Sequence, residues 1–130
     1  MLNIPTIMEK RTYDLEDRLI AFAIATVELT EGMPNTPAGR YYAGQLLRSG
    51  GSPALNYGEA QAGETHRDFT HKMKVALKEL RESHVCLRII NGAGLHPQSE
   101  RTKVALKEAF ELVAIFTASV KTAEKRSARK

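Results

Sequence analysis

The chain has 130 residues, a size expected to form one domain, with 42% hydrophobic and 26% charged residues and a formal net charge of +4. Its one cysteine, Cys86, excludes an internal disulfide framework and makes a reducing cytoplasm the simplest location. The opening MLNIPTIMEK lacks the basic start and apolar core of a signal peptide, and charged residues interrupt every apolar run long before a membrane span is reached.

The excess charge is concentrated at the C-terminus. Residues 121–130 hold five cations (Lys121, Lys125, Arg126, Arg129, Lys130) against one acid, Glu124. Of the chain's 19 basic and 15 acidic groups, the other 120 residues keep 14 of each. By composition the body is therefore not a basic surface, and a polycationic tail is attached to it.

Residues 1–12 contain Pro5 and no sustained period, and read as an irregular arm. Leu15, Leu19, Phe22, Thr26 and Leu29 then follow at spacings of 4, 3, 4 and 3, which predicts a first helix over 14–31. Gly32 and Pro34 stop it. Thr36-Pro37 is a cap and first-turn pair for a second helix over 37–62. Gly50, Gly51 and Pro53 inside it are expected to kink or split it.

Thr65 and Asp68 resemble a short capping box for a third helix over 65–91. Its seam of Phe69, Met73, Ala76, Leu80, Ser83, Leu87 and Ile90 is the strongest periodic signal in the chain. Asn91, Gly92 and Gly94 end it, and Pro97 helps to launch a fourth helix over 98–124, leaving 125–130 as the basic tail. That helix carries two adjoining stripes: Ala105, Ala109, Leu112, Phe116, Ser119 and Ala123, then Leu106, Phe110, Val113, Thr117 and Val120. They read either as one wide core face or as a core face plus a strip facing another subunit. Four such helices with short connections predict an all-α, antiparallel up-down-up-down four-helix bundle.

The second helix is unusual. Its seam of Tyr42, Gln45, Ser49, Ser52, Asn56 and Glu59 is almost wholly polar. Such a seam is solvated or belongs to a satisfied hydrogen-bond network, and either is favoured over a ligand site. The network expected here joins Arg48, Ser52, Asn56 and Glu59 to Glu79, Arg81 and Glu82 of the third helix, with Asn56 and Glu59 largely buried.

Several motifs now converge: QLLRSG (45–50), Asn56-Tyr57, EAQA (59–62), Asp68-Phe69, Lys72, ALKELRES (76–83), Leu87-Arg88, and ELVAI (111–115) with Ser119 and KTA (121–123). Over about residues 13–125 the chain resembles the bacterial four helix bundle protein family, also known as the rRNA intervening-sequence proteins. Some of its members are encoded within insertions in large-subunit rRNA genes. The resemblance implies a bundle that assembles as a ring, typically a homopentamer. It also implies kinship with accessory bundles of diversity-generating retroelements, which bind a reverse transcriptase and nucleic acid.

Catalytic and metal chemistry finds little support in the sequence. A di-iron bundle needs two Glu-x-x-His motifs, and none of His66, His71, His84 or His96 has Glu three residues earlier. No metal or cofactor is expected. Cys86 has no partner base in the sequence. Gly92-Ala-Gly94 lacks the third glycine of a dinucleotide loop, and Ser49-Gly50-Gly51-Ser52 lacks the lysine of a phosphate cradle. The expected function is a non-enzymatic, homo-oligomeric interaction module binding RNA or DNA through Lys121, Lys125, Arg126, Arg129 and Lys130. The alternative is a protein-binding scaffold ring with no nucleic-acid role.

Overall fold

Four helices account for nearly all of the chain: α1 (Ile7–Glu31), α2 (Pro37–Gln61), α3 (His66–Gly92) and α4 (Ser99–Ala128). The structure, a computed structural model, describes residues 7–63 and 65–128, with side chains from Leu15 onward. Consecutive helices pack side by side and α4 returns to α1, its loosest neighbour. Pairs of contacts fix the directions: Arg48 meets Glu79 while Glu59 meets Lys72 across α2 and α3, His66 meets Ala123 while His84 meets Phe110 across α3 and α4, and Arg18 meets Glu108 while Glu28 meets Arg101 across α1 and α4. In each of these pairs the residue numbers rise along one helix as they fall along the other, which is antiparallel up-down-up-down packing.

Helix starts follow the sequence signals. Thr36 Oγ1 accepts the Gly39 amide at 3.0 Å with Pro37 in the first turn, and Thr65 Oγ1 accepts the Asp68 amide at 3.0 Å. Gly94 takes a φ of +64° after α3, a conformation glycine adopts at little cost. Two boundaries differ from expectation. α1 begins at Ile7, inside the stretch read as an arm, because residues 7–13 hold Glu, Lys and Arg and no Gly or Pro. α4 continues four residues past the expected 124, so Lys125 and Arg126 project from its last turn rather than from a tail. There the apolar seam ends while Ala, Glu, Lys and Arg carry the helix on propensity. Residues 1–6, Arg129 and Lys130 lie outside the described residues.

α2 is not split. It runs unbroken through Gly50, Gly51 and a buried Pro53. Gly50 brings the α2 backbone onto Thr26 of α1, and close packing on that side compensates for a poor helix sequence. The core joins Leu19, Phe22, Leu46, Leu80, Leu87, Ile90, Leu112 and Phe116, with Tyr57 edge-on to Phe116 at 6.0 Å. Each such large side chain contributes about 1.5–3 kcal/mol on burial. On α4 the first stripe is core apart from half-buried Ser119. The second is its flank: Val120 is buried, Leu106 and Val113 pack partly against the core, and Phe110 is exposed.

The α3–α4 loop is tied to the rest by His96, which is buried. Its Nδ1 accepts the Gln98 amide at 2.9 Å, so the proton sits on Nε2, which donates to the Leu29 carbonyl at 3.0 Å. Leu29 lies in the last turn of α1, and its carbonyl, which lacks the usual i+4 donor, also accepts the Gly32 amide at 3.0 Å.

Candidate functional site

The polar seam of α2 turns toward α3. At its centre Ser83 Oγ donates to Ser49 Oγ at 3.0 Å, and Ser49 donates onward to the Gln45 carbonyl at 2.8 Å. Both serines are fully buried. Each hydroxyl proton has an acceptor, so this pair stitches two helices without leaving an orphan. Nearer the surface, Arg48 reaches Glu79 at 3.0 Å, Glu82, and Gln45 Oε1 at 3.1 Å.

The rest of the expected network separates into local pieces. Asn56 is half-buried and turns back on its own helix, donating to the Ser52 carbonyl at 3.1 Å and Ser52 Oγ at 2.8 Å. Glu59 is exposed rather than buried, and pairs with Lys72 of α3. Glu59 stands about 16 Å along the helix from Arg48, beyond the reach of one cluster. Arg81 is exposed and takes no part. Among the described residues, no buried polar side-chain atom lacks a hydrogen-bond partner. Solvent-exposed pairs of this kind are worth little energetically. The physical work they do is to set helix register.

Arg81 belongs instead to a feature that composition conceals. Arg67, Lys74, Lys78, Arg81 and Arg88 are all exposed, and their spacings of 7, 4, 3 and 7 put them on one face of α3. Lys74 reaches Glu124 of α4 at 3.0 Å, so this face borders α4. On α4, exposed Phe110 rests against His84 of α3, with ring centroids 5.8 Å apart. Lys103 and Lys121 share the face of Phe110 at helical spacings, and Lys125 follows one turn on. The acids Glu79 and Glu82 lie on the opposite flank of α3, held by Arg48. A chain whose body is neutral by count thus separates its charges by face. A search for periodic cations would have found the row. Arg126 sits apart from it, beside His66 and Phe69 at the end where α3 begins and α4 finishes.

The chain's one thiol is not activated as a nucleophile. Cys86 is buried, its thiol donates to the Tyr42 carbonyl at 3.6 Å, and burial pushes its pKa up to about 11 against a weaker opposing pull from Arg48. Burial, and then the Arg88 charge, lower the pKa of His84. Among the described residues no three His, Cys, Asp or Glu side chains gather as a metal site. None of the described helices is long and apolar enough to cross a membrane.

Residues 11–118 match the family described as 23S rRNA-intervening sequence protein. The chain belongs to that family. It is similar to the crystal structure of a protein of unknown function from the S23 ribosomal protein family of Bacteroides thetaiotaomicron, with a TM-score of 0.74 and 25% identity over 82% of this chain and 98% of that one. No curated protein matches significantly. Membership of the 23S rRNA-intervening sequence protein family thus accounts for the four-helix architecture and carries no assigned activity.

The surface of this family member is more apolar than a lone bundle needs. Ile20, Ile24 and Val27 form an exposed ridge along α1, and the exposed Leu47 stands on neighbouring α2. Beside the ridge, on the side of α1 facing α4, lies a groove of about 680 Å³ floored by Ala21, Phe22, Ala25, Leu29, Val104 and Ala105. Arg18 bridges one end to Glu108 at 2.8 Å and Glu111 at 3.2 Å, and Arg101 meets Glu28 at 4.0 Å toward the other.

Proposed function

We propose that the protein is a non-enzymatic, self-associating interaction module that presents the basic ends of several copies to RNA or DNA. The observation that carries this reading is the exposed ridge of Ile20, Ile24 and Val27. Three large aliphatics in line on one helix are costly to leave in water, and such patches are commonly interfaces. The ridge points outward from α1, and the groove lies about a quarter-turn round the helix, toward α4. A ridge entering the groove of the next copy makes a head-to-tail contact, which generates a ring when the rotation closes. The family resemblance sets the expected number at five. Assembly multiplies Lys121, Lys125, Arg126, Arg129 and Lys130, and a repeated cation cluster favours a polyanion with steep salt dependence.

The scaffold reading draws support from the same groove, which a helix of a protein partner would also fit. Light scattering tests the assembly directly. The wild-type chain is expected at several times its 14.4 kDa monomer mass. Ile24→Glu, at a side chain already 53% exposed, is expected to give monomer with unchanged helical content. A wild-type chain that stays monomeric at all concentrations overturns the proposal.

A further inference from the structure

We infer that the flank of α3 facing α4 is itself a binding surface for duplex nucleic acid, held through its phosphates and not through its bases. The inference rests on the polyanion reading above and adds a site on the bundle body, centred on α3 and meeting the C-terminal residues only at its Arg67 end.

Three observations carry it. From Arg67 to Arg88 the row spans 21 residues of one unbroken helix, about 32 Å of rigid rod. That is close to one turn of a duplex, about 34 Å, so successive cations meet phosphates along a fixed path. Second, charge is segregated: the acids Glu79 and Glu82 face α2 and are held by Arg48, whereas Arg67, Lys78, Arg81 and Arg88 take part in no salt bridge among the described residues. Their charge is available to an outside partner, and Glu124, bound to Lys74, offsets little of it. Third, the antiparallel packing places the α4 lysines beside the row, where Lys121 and Lys125 adjoin its Arg67 end. Together they make a two-helix cationic strip.

Chemistry points to the duplex over a single strand. Single strands are gripped by successive aromatic platforms, and this flank exposes one aromatic side chain, Phe110, already against His84. The row contains only Lys and Arg, which suit phosphates, and no Asn or Gln to read adenine edges, so the sequence dependence expected is confined to a preference of the arginines for guanine.

The test compares the full chain, a Lys78→Glu/Arg81→Glu/Arg88→Glu variant and a truncation lacking 125–130. Fluorescence anisotropy is read with labelled duplex RNA and duplex DNA of about 20 base pairs, their single strands and anionic vesicles, at about 50 and about 200 mM salt. The triple variant is expected to bind duplex at least about tenfold more weakly at the lower salt, with a salt slope shallower by about 3. The truncation is expected to retain the larger share of the affinity. All three positions are exposed, so helicity and mass serve as controls. If the reversals disturb them, the Gln variants at the same positions replace them and are held to the same threshold. Duplex binding unaffected by the triple variant but lost on truncation overturns this inference and leaves the C-terminal reading standing. No duplex binding by the full chain, tighter binding of single strands, or binding of vesicles alone also overturns it.

Discussion

Gly50→Ala is expected to destabilise the fold by about 1–3 kcal/mol, while Gly51→Ala, its neighbour, is expected to stabilise it by about 0.5–1 kcal/mol. A methyl group at Gly50 would lie 2.5 Å from Thr26 Cγ2 and 2.6 Å from its Oγ1. Thr26 cannot yield easily, because it is fully buried and its hydroxyl donates to the Ala23 carbonyl at 2.8 Å. Either α1 and α2 move apart or the threonine gives up its rotamer. At Gly51 the same methyl group meets nothing within 4 Å, and the helix gains from a residue with fewer unfolded conformations. Thermal melts should separate the two variants in opposite directions, by about 4 °C per kcal/mol for a chain of this size. Shifts of the same sign would contradict the close approach of α1 and α2. Gly51 lies toward the face proposed for self-association, so the melts belong at a concentration where the mass is constant.

Replacing His96 by Ala is expected to cost about 1–3 kcal/mol, because the Gln98 amide loses its partner while the Leu29 carbonyl keeps only the Gly32 amide. The Leu29 carbonyl would lose a donor and the Gln98 amide an acceptor, in a site where the imidazole is 7% exposed. The loss is a large fraction of the total stability of a small domain, about 5–15 kcal/mol. Urea unfolding should show a lower midpoint with an unchanged slope, since no new surface is exposed in the native state. A loss below about 0.5 kcal/mol would mean that water serves those groups as well as the ring does.

The core was legible because its positions repeat. In α3 the seam from Met73 to Ile90 is buried at every position named, and the 3.6-residue period alone identifies it. The unsplit α2 was harder to read, because Pro53 and three glycines between 44 and 51 argue against a helix locally. What overrides them is contact with Thr26, 24 residues earlier, which no local rule contains. Spacing along the chain does not single out His96 among the four histidines, because its structural role depends on a carbonyl 67 residues away. The polar seam stands out in the sequence, but spacing does not say that Ser49 meets Ser83 while Asn56 bonds only within α2. The cation row was hidden for a different reason. Counting charges over the body averages over faces, and only position along the helix separates them.

Cys86 makes the bundle its own stopwatch. It is the chain's single thiol, closed between α2 and α3 with its hydrogen directed at Tyr42. A neutral, buried thiol does not react with an alkylating reagent until those helices part. When reclosing outpaces labelling, the observed rate is the intrinsic thiol rate multiplied by the fraction of time the seam stands open. The uptake of label by unmodified protein at neutral pH therefore measures breathing of the α2–α3 seam in water, without denaturant. A rate matching an unfolded chain would mean that the seam is already open. A rate that slows as protein concentration rises would tie assembly to closure of the seam.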